Sequence, residues 1–204
     1  MNLSRRIRRV ANRLLLLPRR AWYLHQYPAS SPGSVAWLVG TEINYGGYVS
    51  GVRRNKTSPL DPRPRHKILS GGMTGGDRML HHAYAPVYAR CLAPLARSGR
   101  PVTLAEFGIL KGTGLAMWCD LFPGGRILGF DIDLDHTRGN MDNLRALGAF
   151  RNNQPELHEF DQFVDNTDYL GSVLNGARLD VCIDDGFHSN ESILTTLRSV
   201  KPHL

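Results

Sequence analysis

Acidic side chains are missing from the first 41 positions of this 204-residue chain, and Glu42 is the first. The charge is therefore divided: residues 1–101 hold 17 Lys/Arg against 3 Asp/Glu, and residues 102–204 hold 8 against 15. A basic front half joined to an acidic back half implies two jobs rather than one uniformly basic surface. Cysteine is scarce too. Cys91, Cys119 and Cys182 are odd in number and widely spaced, with no C-x-x-C pair. That argues against a disulfide frame or a zinc site and fits a reducing, cytoplasmic setting. No apolar run approaches the roughly 20 residues that span a bilayer. No internal repeat is evident. No aromatic-rich platform or DNA-binding motif accompanies the arginines, so nucleic acid is not an expected partner. The dinucleotide fingerprint G-x-G-x-x-G is absent as well, which speaks against a nicotinamide-dependent oxidoreductase.

What is present is concentrated in Val102–Asp133. Val102–Phe107 reads as a buried strand with Glu106 near its end. Gly108, Gly112 and Gly114 follow, then a helical pattern over Leu115–Phe122, a Pro123-Gly124-Gly125 turn, and a second strand, Arg126–Phe130, ending in Asp131. Strand, glycine turn, helix and strand with a terminal acid make the first βαβ unit of a Rossmann-like α/β sheet. The glycines allow close backbone approach to a ligand, and the helix start offers unpaired N–H groups. A terminal acid such as Asp131 accepts hydrogen bonds from ribose hydroxyls. In the E-x-G-x-x-x-G spacing of Glu106, Gly108 and Gly112, a carboxylate precedes the glycines. It would repel a pyrophosphate and accept a cationic or zwitterionic ligand such as S-adenosylmethionine.

The division of the chain follows composition. Residues 1–70 read as a basic arm and a loop-rich extension, and residues 71–204 as the α/β domain. In the arm, Leu3, Ile7, Val10, Ala11 and Leu14 share one helical face among arginines, and Pro18 closes the pattern. Such a helix suits an anionic membrane surface or a protein partner, and is a poor secretory signal. Pro28 to Arg65 reads mostly as loop, with a short strand at Val35–Val39. Gly71–Arg78 leads into a helix that Asp77 caps and that buries Tyr84, Val87, Tyr88, Cys91, Leu92 and Leu95. Beyond the second strand, a short helix at Met141–Leu147 precedes a third strand, Glu156–Asp161, and a helix follows at Asp168–Leu174. A fourth strand, Leu179–Ile183, then leads to a last helix capped by Ser189 that buries Ile193, Leu194 and Leu197. A doubly wound sheet calls for further strands after that helix. The sequence therefore reads as cut short, with an open sheet edge that is compatible with self-association.

Asp184, Asp185 and His188 fall at the carboxyl end of the fourth strand, where α/β enzymes place ligands. Adjacent carboxylates are costly to hold together unless a cation or solvent offsets their repulsion. A neutral imidazole there can take a proton from a hydroxyl, and a divalent ion would make that easier. The same residues read equally as an Asx turn capping the last helix beside an exposed histidine.

The ordered set H-x-Y-x-x-x-Y (His82, Tyr84, Tyr88), E-x-G-x-x-x-G-x-x-L-x-M-W, G-F-D-I-D, D-Q and I-D-D-G-x-H resembles the metal-dependent sugar O-methyltransferases of macrolide biosynthesis, the mycinamicin type. It is also similar to cephalosporin-hydroxylase-like proteins. The likeness covers Gly75 to Leu204, and Leu115–Trp118 and Ile183–His188 are its more specific parts. It implies a class I methyltransferase fold, with S-adenosylmethionine as methyl donor, Mg²⁺ as metal, and a hydroxyl of a sugar or glycosylated metabolite as acceptor. Asp131 inherits the ribose contact, Glu106, Gly108 and Gly112 the methionine side, and Asp161 and Gln162 the adenosine side. Asp185, assisted by Asp184, inherits the metal, and His188 inherits the role of general base. Phe187 stands where the family usually has Ser, and the family's remaining metal ligands fall beyond Leu204. The rival expectation is a non-catalytic methyltransferase-like domain whose basic arm makes contact with a membrane or a partner.

Overall fold

A computed structural model describes residues 16–204. The expected amphipathic helix of Leu3–Leu14 lies outside the described residues. Pro18 does not end a helix, because residues 16–26 are helical through it (α1). A 3₁₀ turn, Tyr27–Ala29, leads to α2, Val35–Asn44. The sequence suggests a strand at Val35–Val39, yet Ser34 decides the matter. Its hydroxyl accepts the Trp37 N–H at 3.3 Å as an N-cap, and Trp37, Leu38, Val39 and Ile43 are buried along the resulting helix.

The stretch expected to be loop contains further structure. β1 (Val49–Arg53) and β2 (Gly72–Gly75) pair antiparallel, with α3 (Arg65–Ser70) between them. Both strands are short and partly exposed, and β2 is half glycine, so neither shows an apolar alternation in the sequence. Asp77 does not cap the next helix and instead lies 3.3 Å from His82. The next helix, α4 (Ala85–Ser98), starts only after Ala83, whose φ is 57°, and has Pro86 in its first turn. Its buried face is turned from the expected one. Tyr84, Val87 and Cys91 are exposed, while Ala85, Leu92 and Ala93 pack inward with Tyr88, Ala89 and Leu95 alongside.

From β3 onward the chain follows the expected βαβ order. β3 (Thr103–Phe107), α5 (Thr113–Leu121), β4 (Arg126–Asp131), α6 (Asp135–Arg138), α7 (Met141–Ala146), β5 (Glu156–Glu159), α8 (Thr167–Leu174), β6 (Val181–Asp184) and α9 (Asn190–Val200) follow in turn. The four strands β3–β6 form a parallel sheet in the spatial order β5-β4-β3-β6. This is the Rossmann-like arrangement. Strand order reverses at β3, so the crevice above the carboxyl ends of β3, β4 and β6 is a topological switch point.

The pleat of β3 sorts the core into two layers. Leu104 faces α2, α4 and α5 with Leu115, Trp118 and Ile127, while Ala105 and Phe107 face α8 and α9 with Phe130, Phe160, Leu170 and Val200. Residues 35–45 belong to the first of these layers, so the segment before residue 70 shares its core with the sheet. Arg126 staples β4 to β5 and α8. Its guanidinium reaches Glu156 at 2.7 and 2.8 Å and the carbonyl oxygens of Val173 and Leu174 at 2.9 and 3.2 Å.

The last helix corrects another expectation. Ile193, Leu194 and Leu197 are 40, 49 and 53% exposed, and Ser192, Thr196, Ser199 and Val200 are buried instead. Hydrogen bonding outweighs apolar periodicity here. Thr196 Oγ1 accepts from the Gln162 amide at 3.0 Å, Ser199 Oγ accepts the Asn166 N–H at 2.9 Å, and Ser192 completes a capping box with Ser189. No helix among the described residues is long and apolar enough to cross a membrane.

Candidate active site

A cavity of about 670 Å³ opens over the carboxyl ends of the parallel strands. That is within the usual range for small-molecule sites. Glu106, Gly108, Asp131, Asp161, Gln162, Asp184, Asp185 and His188 all line it. The sheet therefore gathers residues that are 82 positions apart in the sequence.

Gly108 shapes its floor, whereas Gly112, expected on the methionine side, lies off the cavity wall, where a Cβ would meet Thr137 and Leu144. Gly108 leaves β3 with φ 86°, and its N–H donates to the Phe130 carbonyl at 2.8 Å. A Cβ there would lie 2.4 Å from Gly186 Cα, so the turns after β3 and β6 touch backbone to backbone. Gly112, at φ 76°, starts α5. Asp131 holds the loop between the two glycines. Its Oδ2 accepts the N–H groups of Ile109 and Leu110 at 3.0 and 3.1 Å, and its Oδ1 accepts that of Asp133 at 3.2 Å. Burial pushes its carboxyl above the usual range, while these backbone donors pull the other way. Oδ2 is filled by its two donors, and Oδ1 keeps one lone pair for a ligand hydroxyl.

Glu106 is 1% exposed, and its oxygens are already engaged. Oε2 accepts the Trp118 indole N–H at 3.0 Å, and Oε1 pairs with Arg78 Nη1 at 2.5 Å. The repulsion of phosphate expected from this carboxylate is therefore offset within the protein. The negative character of the cavity comes instead from its whole wall, where carboxylates outnumber arginines and lysines.

Asp161 Oδ2 accepts the Ser58 hydroxyl at 2.6 Å, and its Oδ1 accepts the Phe163 N–H at 3.0 Å. Gln162 turns toward β6 and α9. Its amide donates to Asp184 Oδ1 at 2.9 Å, and its carbonyl accepts the Phe187 N–H at 2.7 Å. Asp184, which ends β6, and Asp185 after it consequently point apart. Asp184 faces Gln162, with Oδ2 buried and unpartnered. Asp185 faces Arg78, with Oδ2 at 3.4 Å from Nε, and its Oδ1 lies 3.9 Å from Nε2 of the exposed His188. Burial raises the Asp185 carboxyl, against the pull of Arg78 and His188. No group of three or more His, Cys, Asp or Glu side chains converges on a metal position among the described residues.

Several lining residues escape a sequence reading. Residues 54–63 form a strap over the strand ends. Lys56 binds Glu159 at 2.8 Å, Ser58 binds Asp161, and the Arg63 guanidinium lies 3.8 Å over the Phe187 ring. Nothing local in that Pro- and Arg-rich stretch marks it as part of a site. Arg78 is different. A lone arginine between Asp77 and Met79-Leu80 is the signal that could have found it.

No family model matches the chain. A curated relative, 8-demethyl-8-alpha-L-rhamnosyl tetracenomycin-C 2'-O-methyltransferase of Streptomyces olivaceus, is 27% identical over 137 residues, which cover 64% of this chain and 32% of the relative. The chain thus spans about a third of that relative's length. Among solved structures, a Klebsiella pneumoniae protein provisionally assigned as an O-methyltransferase aligns over 91% of this chain and 66% of its own, with 14% identity and a TM-score of 0.44. The MycE methyltransferase of the mycinamycin pathway, solved with Mg, S-adenosylhomocysteine and mycinamycin VI, aligns over 78% of this chain and 51% of its own, with 16% identity and a TM-score of 0.36. In sequence the chain is similar to that curated O-methyltransferase, in line with the motif order.

Proposed function

We propose that this chain binds S-adenosylmethionine and carries the methyl-transfer site of an O-methyltransferase acting on a hydroxyl of a sugar or glycosylated metabolite. One observation carries the reading: a single acid-lined cavity at the switch point runs from Asp131, past the Gly108 turn, to Asp185 and His188. An anionic wall suits a ligand with a sulfonium and an ammonium and no phosphate. The similarity to a rhamnosyl O-methyltransferase supports the acceptor class.

Each residue then has a task. Asp131 accepts a ribose hydroxyl with the lone pair left on Oδ1. Gly108 lets the backbone approach the methionine portion closely, above Glu106, while Gly112 sets the start of α5 behind it. Ser58 and Asp161 border the adenosine side, with Gln162 bracing that edge from below. The bound donor supplies an electrophilic methyl group on its sulfonium. His188 takes the acceptor's hydroxyl proton as the O–CH₃ bond forms and the S–CH₃ bond breaks, leaving S-adenosylhomocysteine. Alignment of the two reactants contributes most of the rate. Magnesium would be held through Asp185, and no group of three ligand side chains converges there among the described residues. It would polarise the acceptor hydroxyl. Asp184, turned toward Gln162, stands behind that position and does not join it.

The test is transfer of a labelled methyl group from S-adenosylmethionine to a panel of rhamnosides and other glycosides, with Mg²⁺ or with EDTA. Label in the glycoside, reduced by EDTA, is the expected result. Label that stays in the donor with every acceptor would reject the acceptor class, whether or not the donor binds.

A further inference from the structure

Arg78 is a buried cation, 7% exposed, at the edge of the cavity. Its loop is clamped from behind. The Glu42 carboxylate accepts the N–H groups of Met79 and Leu80 at 3.0 and 3.2 Å. Gly76 packs so closely on β1's approach that a Cβ would stand 1.9 Å from the Gly47 carbonyl oxygen. The guanidinium is then threaded into the sheet layer. Gly114 leaves it room, since a Cβ there would lie 2.2 Å from Arg78 Nη2. It meets Glu106 at 2.5 Å through Nη1 and Asp185 at 3.4 Å through Nε. Burial opposes its charge, but these two carboxylates more than compensate and keep the guanidinium protonated. On the far side of Asp185 stands His188, at 3.9 Å.

We propose that Arg78 is the positioning residue of this site. It fixes the Asp185 carboxylate, and through it the His188 imidazole, and it ties that pair to Glu106 beneath the glycine turn. The inference rests on the methyl-transfer reading for its purpose, since it explains how the base comes to face the donor. It also explains why a carboxylate is buried at the end of β3, because Glu106 balances the cation that orients Asp185. A guanidinium suits this bridge, as its Nη1 and Nε address the two carboxylates from separate fixed positions, whereas a lysine has a single ammonium.

The test uses the full chain and the imidazole resonances of His188, assigned by their loss in His188→Gln. Asp185→Asn provides the reference for an imidazole without its partner. The Arg78→Met/Glu106→Gln double variant removes both charges together, so that neither is left buried and alone. Its His188 resonance is expected to move to the Asp185→Asn position. Arg78→Lys, which keeps one charge without the fork, is expected to move it part of the way, and decides the matter if the double variant does not fold. A His188 resonance that stays at its wild-type position in these variants overturns the proposal, even if the melting temperature falls, because that is the pattern of a purely structural arginine. An unmoved resonance in Asp185→Asn overturns it as well. Calorimetry with S-adenosylmethionine on the wild-type chain keeps the two readings separate: no heat removes the methyl donor and leaves the resonance test standing.

Discussion

Replacing His188 by Gln is expected to lower methyl transfer by about 10²–10⁴-fold, the usual contribution of a positioned general base. Affinity for the methyl donor should change little, because His188 lies at the Asp185 end of the cavity and Asp131 at the other. The substitution is also gentle on the fold. The side chain is 62% exposed and meets Asp185 only at 3.9 Å. The split between turnover and binding is therefore the informative quantity. A variant that transfers methyl groups at the wild-type rate would move the base elsewhere, and His82, which lines the same cavity 3.3 Å from Asp77, would be the next side chain to replace.

Gly108→Ala is expected to have the largest effect on the structure itself. The residue sits at φ 86°, and a Cβ would come within 2.4–2.6 Å of backbone atoms of Gly186 and Asp185. No flexible side chain can yield there. Backbone strain and overpacking together should cost on the order of 3 kcal/mol, or a fall in Tm of about 6–12 °C. The site should fail with the fold, since the same contact sets the spacing between the donor loop and Asp185. Gly124→Ala is the control. A Cβ at that turn meets nothing within 4 Å, and its effect should stay within about 0.5 kcal/mol. Equal melting temperatures for the two variants would mean that the two turns do not touch as described.

Much of the sheet was legible because β3, β4 and β6 are short, largely apolar runs closed by glycines and acids. β3, β4 and the positions of Asp131 and Asp185 follow directly from that pattern. Other elements were decided by contacts that a local pattern does not contain. A serine cap made α2 helical where Val35 and Val39 suggest a strand. Gln162 and Asn166, both distant in sequence from α9, drew Thr196 and Ser199 inward and left Ile193, Leu194 and Leu197 outside. β1 and β2 carry no periodic signal, because half-exposed, glycine-rich strands have none to carry. In the site, the motif order picked out acids and glycines on the cavity wall, but not how they are wired. Glu106 is read from its spacing as a bare charge, yet it is one arm of a buried ion pair that only the loop at Arg78 reveals. Gln162 shows the same limit, with its amide spent on Asp184 and Phe187.

The central claim is that the cavity beside Asp131 holds S-adenosylmethionine, and titration calorimetry of that compound into the chain tests it most directly, with Asp131→Ala as the paired variant. The account predicts saturable heat at one site and a loss of affinity of about 30-fold or more in the variant, the scale of a hydrogen bond to a charged group together with a loosened glycine loop. A folded wild-type chain that gives no heat, or an Asp131→Ala variant that binds as tightly as the wild type, would contradict it.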